Sequence, residues 1–366
     1  MPYPQFDRSR VKMLPLAKRF SKKNVEEDLV FPDREPRPFV RAQKAVLDET
    51  VARLRAAQRS GRPRILVFGA HAIKNGLAPV IIRLLEQGWI THLATNGAGI
   101  IHDWEFAFHG RTSEDVRANV ARGEFGNWED TGFNINLALN IGAFEGKGYG
   151  EAVGAMILSD GLTIPSRLEL KQIAMDPERD PARAAAAAEL LGVAATFNLP
   201  GGRMAIPHQW KQHSVQAQAL RLGIPFTGHP MIGHDIIYNH PMNNGALLGR
   251  AALRDFLTFA DGISHITGGV YLSVGSAVMS PMIFEKSLSM AQNVALQDGA
   301  PIADHFMLVV DLAKSHWDWS RGEPPEARPE YYMRHLKSFS RMGGTMRYLA
   351  ADNRDFLLHL AHTLSA

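Results

Sequence analysis

The feature that most constrains this chain is a set of short apolar runs, each closed by a small residue and followed by a helical pattern. RILVFG (64–69) is apolar without alternation, as a strand buried on both faces must be. NGLAPVIIRLLEQG (75–88) then repeats its apolar residues at helical spacing and stops at Gly88. ITHLAT (90–95) is a second strand-like run. Strand, helix and strand have the length of a crossover unit, which builds parallel sheets.

The alternation continues. IPFTG (224–228), GVYLSVGSAV (269–278) and HFMLVVDL (305–312) read as strands, and so does VAATFN (193–198). Helices are predicted over Phe39–Ser60, where Val40, Leu47, Val51 and Leu54 share a face, and over 149–161, 210–223, 245–262 and 280–296. TSED (112–115) has the form of a capping box opening a helix that runs to Gly123. Asp180 and Pro181 suit the N-cap and first position of an alanine-rich helix over 180–192. The expected fold class is α/β, a doubly wound, mainly parallel, Rossmann-like sheet. Residues 1–38 read as an extended arm and 39–366 as a single domain ending in a helical, aromatic segment, 313–366. The arm carries Arg8, Arg10, Lys12, Lys18, Arg19, Lys22 and Lys23, which suits a solvated or subunit-wrapping extension or a docking site for anions.

Composition narrows the chemistry. Of 366 residues, 45% are apolar, enough for a sizeable core. There is no cysteine, so disulfides, thiolate nucleophiles and cysteine-held metals are excluded. Lys and Arg number 40 against 37 Asp and Glu, with no basic face of the kind nucleic acid requires. No apolar run approaches the roughly 18 residues of a membrane span. The expectation is a soluble, cytoplasmic protein without nucleic-acid or membrane partners.

Ligands of open α/β sheets bind beyond the carboxyl ends of the strands. Four such ends carry unusual residues. In GAHAIKNG (69–76), Gly69 and Ala70 permit close backbone approach, and a helix start offers N–H donors to phosphate. In TNGAGIIHDWE (95–105), Gly97 and Gly99 allow a turn with positive φ or a close approach. GHPMIGHDIIYNHPMNNG (228–245) holds His229, His234, Asp235, Asn239 and His240, with His208 and His213 upstream. Gly275-Ser276 either cradles an anion or forms a left-handed turn with a capping serine. Gaps of five and six residues between the histidines do not have the helical H-x-x-x-H spacing of zinc sites, and no metal is assigned.

The order of these motifs resembles the deoxyhypusine synthase-like family. GAHAIKNG stands where that family has a T-S-N-x-x-S-S-G turn. TNGAGIIHD, with Thr95, Gly99 and Asp103, is similar to its T-x-A-G-G-x-E-E-D. GHPMIGHDIIYNHP followed by NNGALLG is similar to its histidine-containing segment, with His240 at or beside the active-site histidine, and GVYLSVGSAVMSP to its glycine-rich strand and turn. The resemblance implies a Rossmann-like sheet of the deoxyhypusine synthase type, bound NAD, and a homotetramer with sites between subunits. It also implies transient hydride abstraction from an amine. Met279 stands where the family's lysine is expected, and Ile101 and His102 replace two acids. A methionine cannot form a Schiff base. IHDWEFAFHGRTSED is also similar to the V-H-D-I-E … G-T-S segment of archaeal-type ornithine cyclodeaminases, whose amine oxidation uses no lysine adduct.

The resulting expectation is an NAD-dependent enzyme acting on a small amine or amino acid, and not a deoxyhypusine synthase. Gly69, Ala70, His71, Thr95, Asn96, Gly97, Gly99, Asp103, Gly275 and Ser276 would hold the cofactor. Glu105, His229 and Asn239 would bind substrate, and His240, with His234 and Asp235, would transfer protons. Lys74 and Lys211 read as solvated. A non-catalytic, ligand-binding or scaffold descendant of the fold and a metal-assisted hydrolase built on the His208–His240 cluster are the alternatives.

Overall fold

The computed structural model describes residues 3–365. Among the described residues, ten strands form three sheets: β1 (Ser21–Asn24), β2 (Arg64–Phe68), β3 (His92–Asn96), β4 (Arg111–Glu114), β5 (Gly161–Ile164), β6 (Gly202–Ala205), β7 (Phe226–His229), β8 (Val270–Val274), β9 (Phe306–Asp311) and β10 (Thr345–Ala350). The central sheet has the order β10-β9-β8-β2-β3-β7, and every pairing in it is parallel. The pairs β1–β4 and β5–β6 are small antiparallel ribbons.

The uninterrupted apolar runs follow from burial on both faces. In β2, Leu66 and Phe68 enter one core while Ile65 and Val67 enter the other. The larger core packs beneath helices Arg41–Arg59, Ala78–Glu86, Gly97–His109 and Asn353–Ser365. The smaller lies under helices Gly245–Ser264, Met279–Gln297 and Arg334–Ser340. Among the described residues, no helix is long and apolar enough to cross a membrane.

Several sequence expectations change. VAATFN is not a strand: the helix Pro181–Thr196 covers its first four residues, with Val193 and Ala194 buried. TSED is not a cap. Residues 111–114 form β4, and Asp115 caps the next helix by accepting from Ala118 N at 3.0 Å. The arm packs on the protein through buried Leu16, the β1–β4 ribbon and Arg19. Residues 313–365 contribute β10, at the sheet edge, and the covering helix Asn353–Ser365.

Candidate functional site

The tips of all six central strands lie at one end of the sheet. Phe68 is level with Thr95 and Val274, Asn96 with His229, Val274 with Val310, and Asp311 with Ala350. Numbered along the chain, the strand order runs six-five-four-one-two-three, so the winding reverses between β2 and β8. This is the order of dinucleotide-binding folds, and such a reversal opens the crevice in which open α/β sheets bind ligands.

Two glycines make that point close-packed. Gly69 N donates to Val274 O at 3.1 Å, and a Cβ on Gly69 would overlap the Gly275 carbonyl oxygen. Gly275 has φ +60°, the left-handed region that favours glycine. Ser276 Oγ accepts from Ser280 N at 3.2 Å, so this serine caps the following helix. Beyond Gly69 the helix Ala70–Lys74 begins, and its first N–H groups have no acceptor within the helix.

Two cavities flank this short helix. One, about 190 Å³, lies over β8, β9 and β10 and is lined by His71, Asn75, Gly275, Asp311, Asp352 and Asn353. The other, about 220 Å³, lies between the β3 tip and the 234–236 loop. Lys74, Ala98, His102, Ser113 and Asp235 line it, with the Arg19–Glu105 pair in its wall.

The second cavity is wired by a buried network. Arg19 grips Glu105 with two hydrogen bonds, at 2.6 and 2.8 Å. Thr131 Oγ1 donates to the same carboxylate at 3.0 Å, and Thr112 Oγ1 donates to it as well. Burial alone would raise the Glu105 carboxyl, but Arg19 outweighs burial and holds it below its ordinary value. His102 Nδ1 lies 2.7 Å from Thr112 Oγ1. Burial lowers the His102 imidazole to about 4, with Glu105 opposing and Lys74, Arg19 and His71 adding to the shift, so the ring is neutral at pH 7. Asp235 is pushed up to about 7 by burial, against a 3.2 Å bond from Ile237 N. Its carboxylate fills the space where Gly97 lacks a Cβ.

Of the expected cofactor residues, Gly69, Ala70, His71, Asn96, Gly97 and Gly275 lie at these tips. Gly97 and Gly99 begin the helix Gly97–His109, with Asn96 capping it by accepting from Gly99 N at 3.0 Å. Neither has positive φ; Gly99 instead makes room for Thr95. Several other expected residues are engaged by partners within the protein. Thr95 is fully buried and donates to Phe68 O at 2.8 Å, stitching β3 to β2. Asp103 turns away from the tips and is consumed by Ser214 Oγ, Val215 N, Gln216 N and Gln216 Nε2, at 2.6–3.2 Å. Glu105 is a structural ion-pair partner with both oxygens engaged. His229 lies in the smaller core beside Phe259, held neutral by burial. Asn239 Nδ2 donates to Phe125 O and Asn127 Oδ1, tying down that loop. His240 is buried against Gly132, Phe133 and Phe197, and its Nδ1 accepts from Met242 N at 3.1 Å. None of those neighbours belongs to a strand tip. His234 is exposed on the rim of the second cavity.

The histidines do not form one cluster. His208 packs on Trp104 and Phe108, His213 on Phe31, and His229 and His240 in the separate places just described. Among the described residues, no group of three or more possible ligands is placed to hold a metal ion. Lys211 pairs with Asp160. Lys74 is not simply solvated: it is half-buried in the cavity wall. Burial, with Lys22 and Lys23 nearby, lowers its amine.

No protein-family model and no curated protein sequence matches this chain. Solved structures do. The ternary complex of AgrE with ornithine and NAD+ is 13% identical and has a TM-score of 0.43, over 91% of this chain and 34% of that one. A conserved putative LOR/SDH protein from Methanococcus maripaludis S2 is 12% identical, with a TM-score of 0.42, over 92% of this chain and 73% of that one. The apo form of ArgZ, an arginine dihydrolase from the ornithine-ammonia cycle in Cyanobacteria, is 13% identical, with a TM-score of 0.38, over 88% and 32%. The chain spans about a third of the AgrE and ArgZ chains it matches. These likenesses are slight.

Proposed function

We propose that this chain is an NAD-dependent enzyme that acts on a small amine or amino acid. The observation that carries the reading is the topological reversal between β2 and β8, with Gly69 and Gly275 at its tips and a cavity on either side. A diphosphate needs backbone donors and no side chain in the way. Ala70 and Ala98, with the first N–H groups of the helix Ala70–Lys74, meet that need; at Gly69 and Gly97 the Gly275 carbonyl and the Asp235 carboxylate already fill the Cβ position. Dinucleotide folds commonly place an acid at the second strand tip for a ribose hydroxyl. Here Asn96 occupies that tip and caps its own helix, so no acid stands there for a ribose.

When bound, NAD supplies an acceptor for the hydride of an amine-bearing carbon. The chain's own residues would position the amine in the second cavity and manage its protons there. Deoxyhypusine synthesis is not proposed: Met279, buried at the start of the helix Met279–Gln297, carries no amine nucleophile. A soluble homotetramer with shared sites is the assembly this reading carries with it.

The test is to incubate the full chain with NAD and a panel of L-amino acids and polyamines, following reduced-nicotinamide absorbance. Transient or net reduction with at least one amine is expected. Binding of NAD without reduction by any amine would instead favour a non-catalytic ligand-binding protein.

A further inference from the structure

We propose that the second cavity binds a small α-amino acid and that His102 Nε2 accepts a hydrogen bond from its ammonium group. The inference rests on the reading of this site as one for amine chemistry, and it adds the substrate class and the group that receives its ammonium.

The argument starts from one hydroxyl. Thr112 has a single hydroxyl hydrogen, and it goes to Glu105, a carboxylate that Arg19 keeps ionised. Thr112 Oγ1 can therefore only accept from His102, so the hydrogen of the neutral imidazole must sit on Nδ1. Nε2 is then the lone-pair nitrogen. Among the described residues it bonds to no protein atom, and it is not sealed off as the unpartnered nitrogens of His208 and His305 are. A buried polar relay with every other member satisfied thus ends in an open hydrogen-bond acceptor at the cavity.

The rest of the lining matches a zwitterion. Lys22 and Lys23 pair with Asp115 and Asp28, whereas Lys74 has no carboxylate partner among the described residues. It is the cation available for a substrate carboxylate. Asp235, from the opposite loop, is the carboxylate available for the ammonium. At about 220 Å³ the space is below the ~300–1,000 Å³ of sites for drug-sized ligands, and suits a molecule of amino-acid size.

The contact is a hydrogen bond: an ammonium N–H donates to the Nε2 lone pair while Nδ1–H donates to Thr112, and the ring stays neutral. Thr112, Glu105 and Arg19 are positioning residues, since they act through His102.

The experiment is nitrogen NMR on the full chain labelled with ¹⁵N-histidine at pH 7, with His102 assigned by His102→Asn. A neutral ring protonated on Nδ1 is expected. Thr112→Val should lose this preference, and Thr112→Ser should keep it. Titrating the wild type with the protein L-amino acids and L-ornithine should shift the Nε2 resonance for at least one of them, and Lys74→Gln should weaken that response at least tenfold. A ring protonated on Nε2, or no response to any amino acid, would overturn the proposal. A response to an amino acid in a protein that does not bind NAD would sink the cofactor reading and leave this one standing.

Discussion

Gly69 and Gly275 face each other across the β2–β8 junction so closely that a single added carbon on Gly69 would occupy the position of the Gly275 carbonyl oxygen. The obstacle is backbone, which cannot rotate aside. Gly69→Ala should therefore push the two strand tips apart, costing about 1–3 kcal/mol, the usual scale of overpacking. Urea unfolding checks this, and an unchanged midpoint would show that the junction is slack. Gly69 has φ −83°, so the expected cost is the clash and not backbone strain.

The arm is held by the buried Arg19–Glu105 pair, whose side chains are 2% and 1% exposed. Arg19→Ala would leave a carboxylate buried without its counter-charge, at a cost of roughly 3–5 kcal/mol. Lysine cannot reproduce the two-pronged contact, so Arg19→Lys should recover only part of the loss. In both variants limited proteolysis should cut first within residues 10–24. Cleavage elsewhere, with the arm still protected, would show that the β1–β4 ribbon holds it unaided.

Buried histidines should make the protein acid-labile. Burial lowers His92 and His208 to about 4, with Asp160 opposing at His208, and lowers His229 to about 3, helped by His92. Their folded values lie below the unfolded value of 6.5, so the unfolded chain binds more protons in between. The stability they contribute is complete above pH 6.5 and is lost as pH falls towards 4. His92 and His229 also meet at Thr227 Oγ1, at 3.3 and 3.0 Å, so charging one opposes charging the other. The melting temperature should fall steadily from pH 7 to pH 4.5, and His229→Gln should flatten the slope. A flat profile in the wild type would contradict the burial argument.

How much of this is legible in the sequence depends on which physical signal each element leaves. β2, β3, β8 and β9 are read easily because burial on both faces demands continuous apolar runs. β10, at the sheet edge, alternates polar and apolar residues, with Arg347 reaching out to Glu49, and gives no such run. The helix Glu129–Glu145 is hidden by buried asparagines: Asn136 and Asn140 donate to Ile237 O and Met242 O, so polar residues lie where a periodic pattern needs apolar ones. VAATFN misleads because its composition suits a strand while the preceding alanines propagate a helix.

At the site, the glycines can be read because close approach admits only small residues. The roles in IHDWE cannot. Successive helical residues point about 100° apart, so adjacent acids and histidines face different surroundings. His102 and Glu105, three apart, share a side, and Asp103 lies off it, capping another helix. Arg19 is 86 residues from its partner, and nothing local marks it.

The most direct test of the central claim, a dinucleotide seated at the β2–β8 reversal, is a calorimetric titration of NAD into the wild type and Ala70→Asp. Ala70 is the first residue of its helix and partly exposed, so an aspartate there is compatible with the fold and favoured by the helix dipole. It places a negative charge where the diphosphate would sit. The account expects one NAD per chain for the wild type and at least a tenfold weaker affinity for the variant, with an unchanged or raised melting temperature. Equal affinities in both proteins, or no heat from either at millimolar NAD, would contradict it.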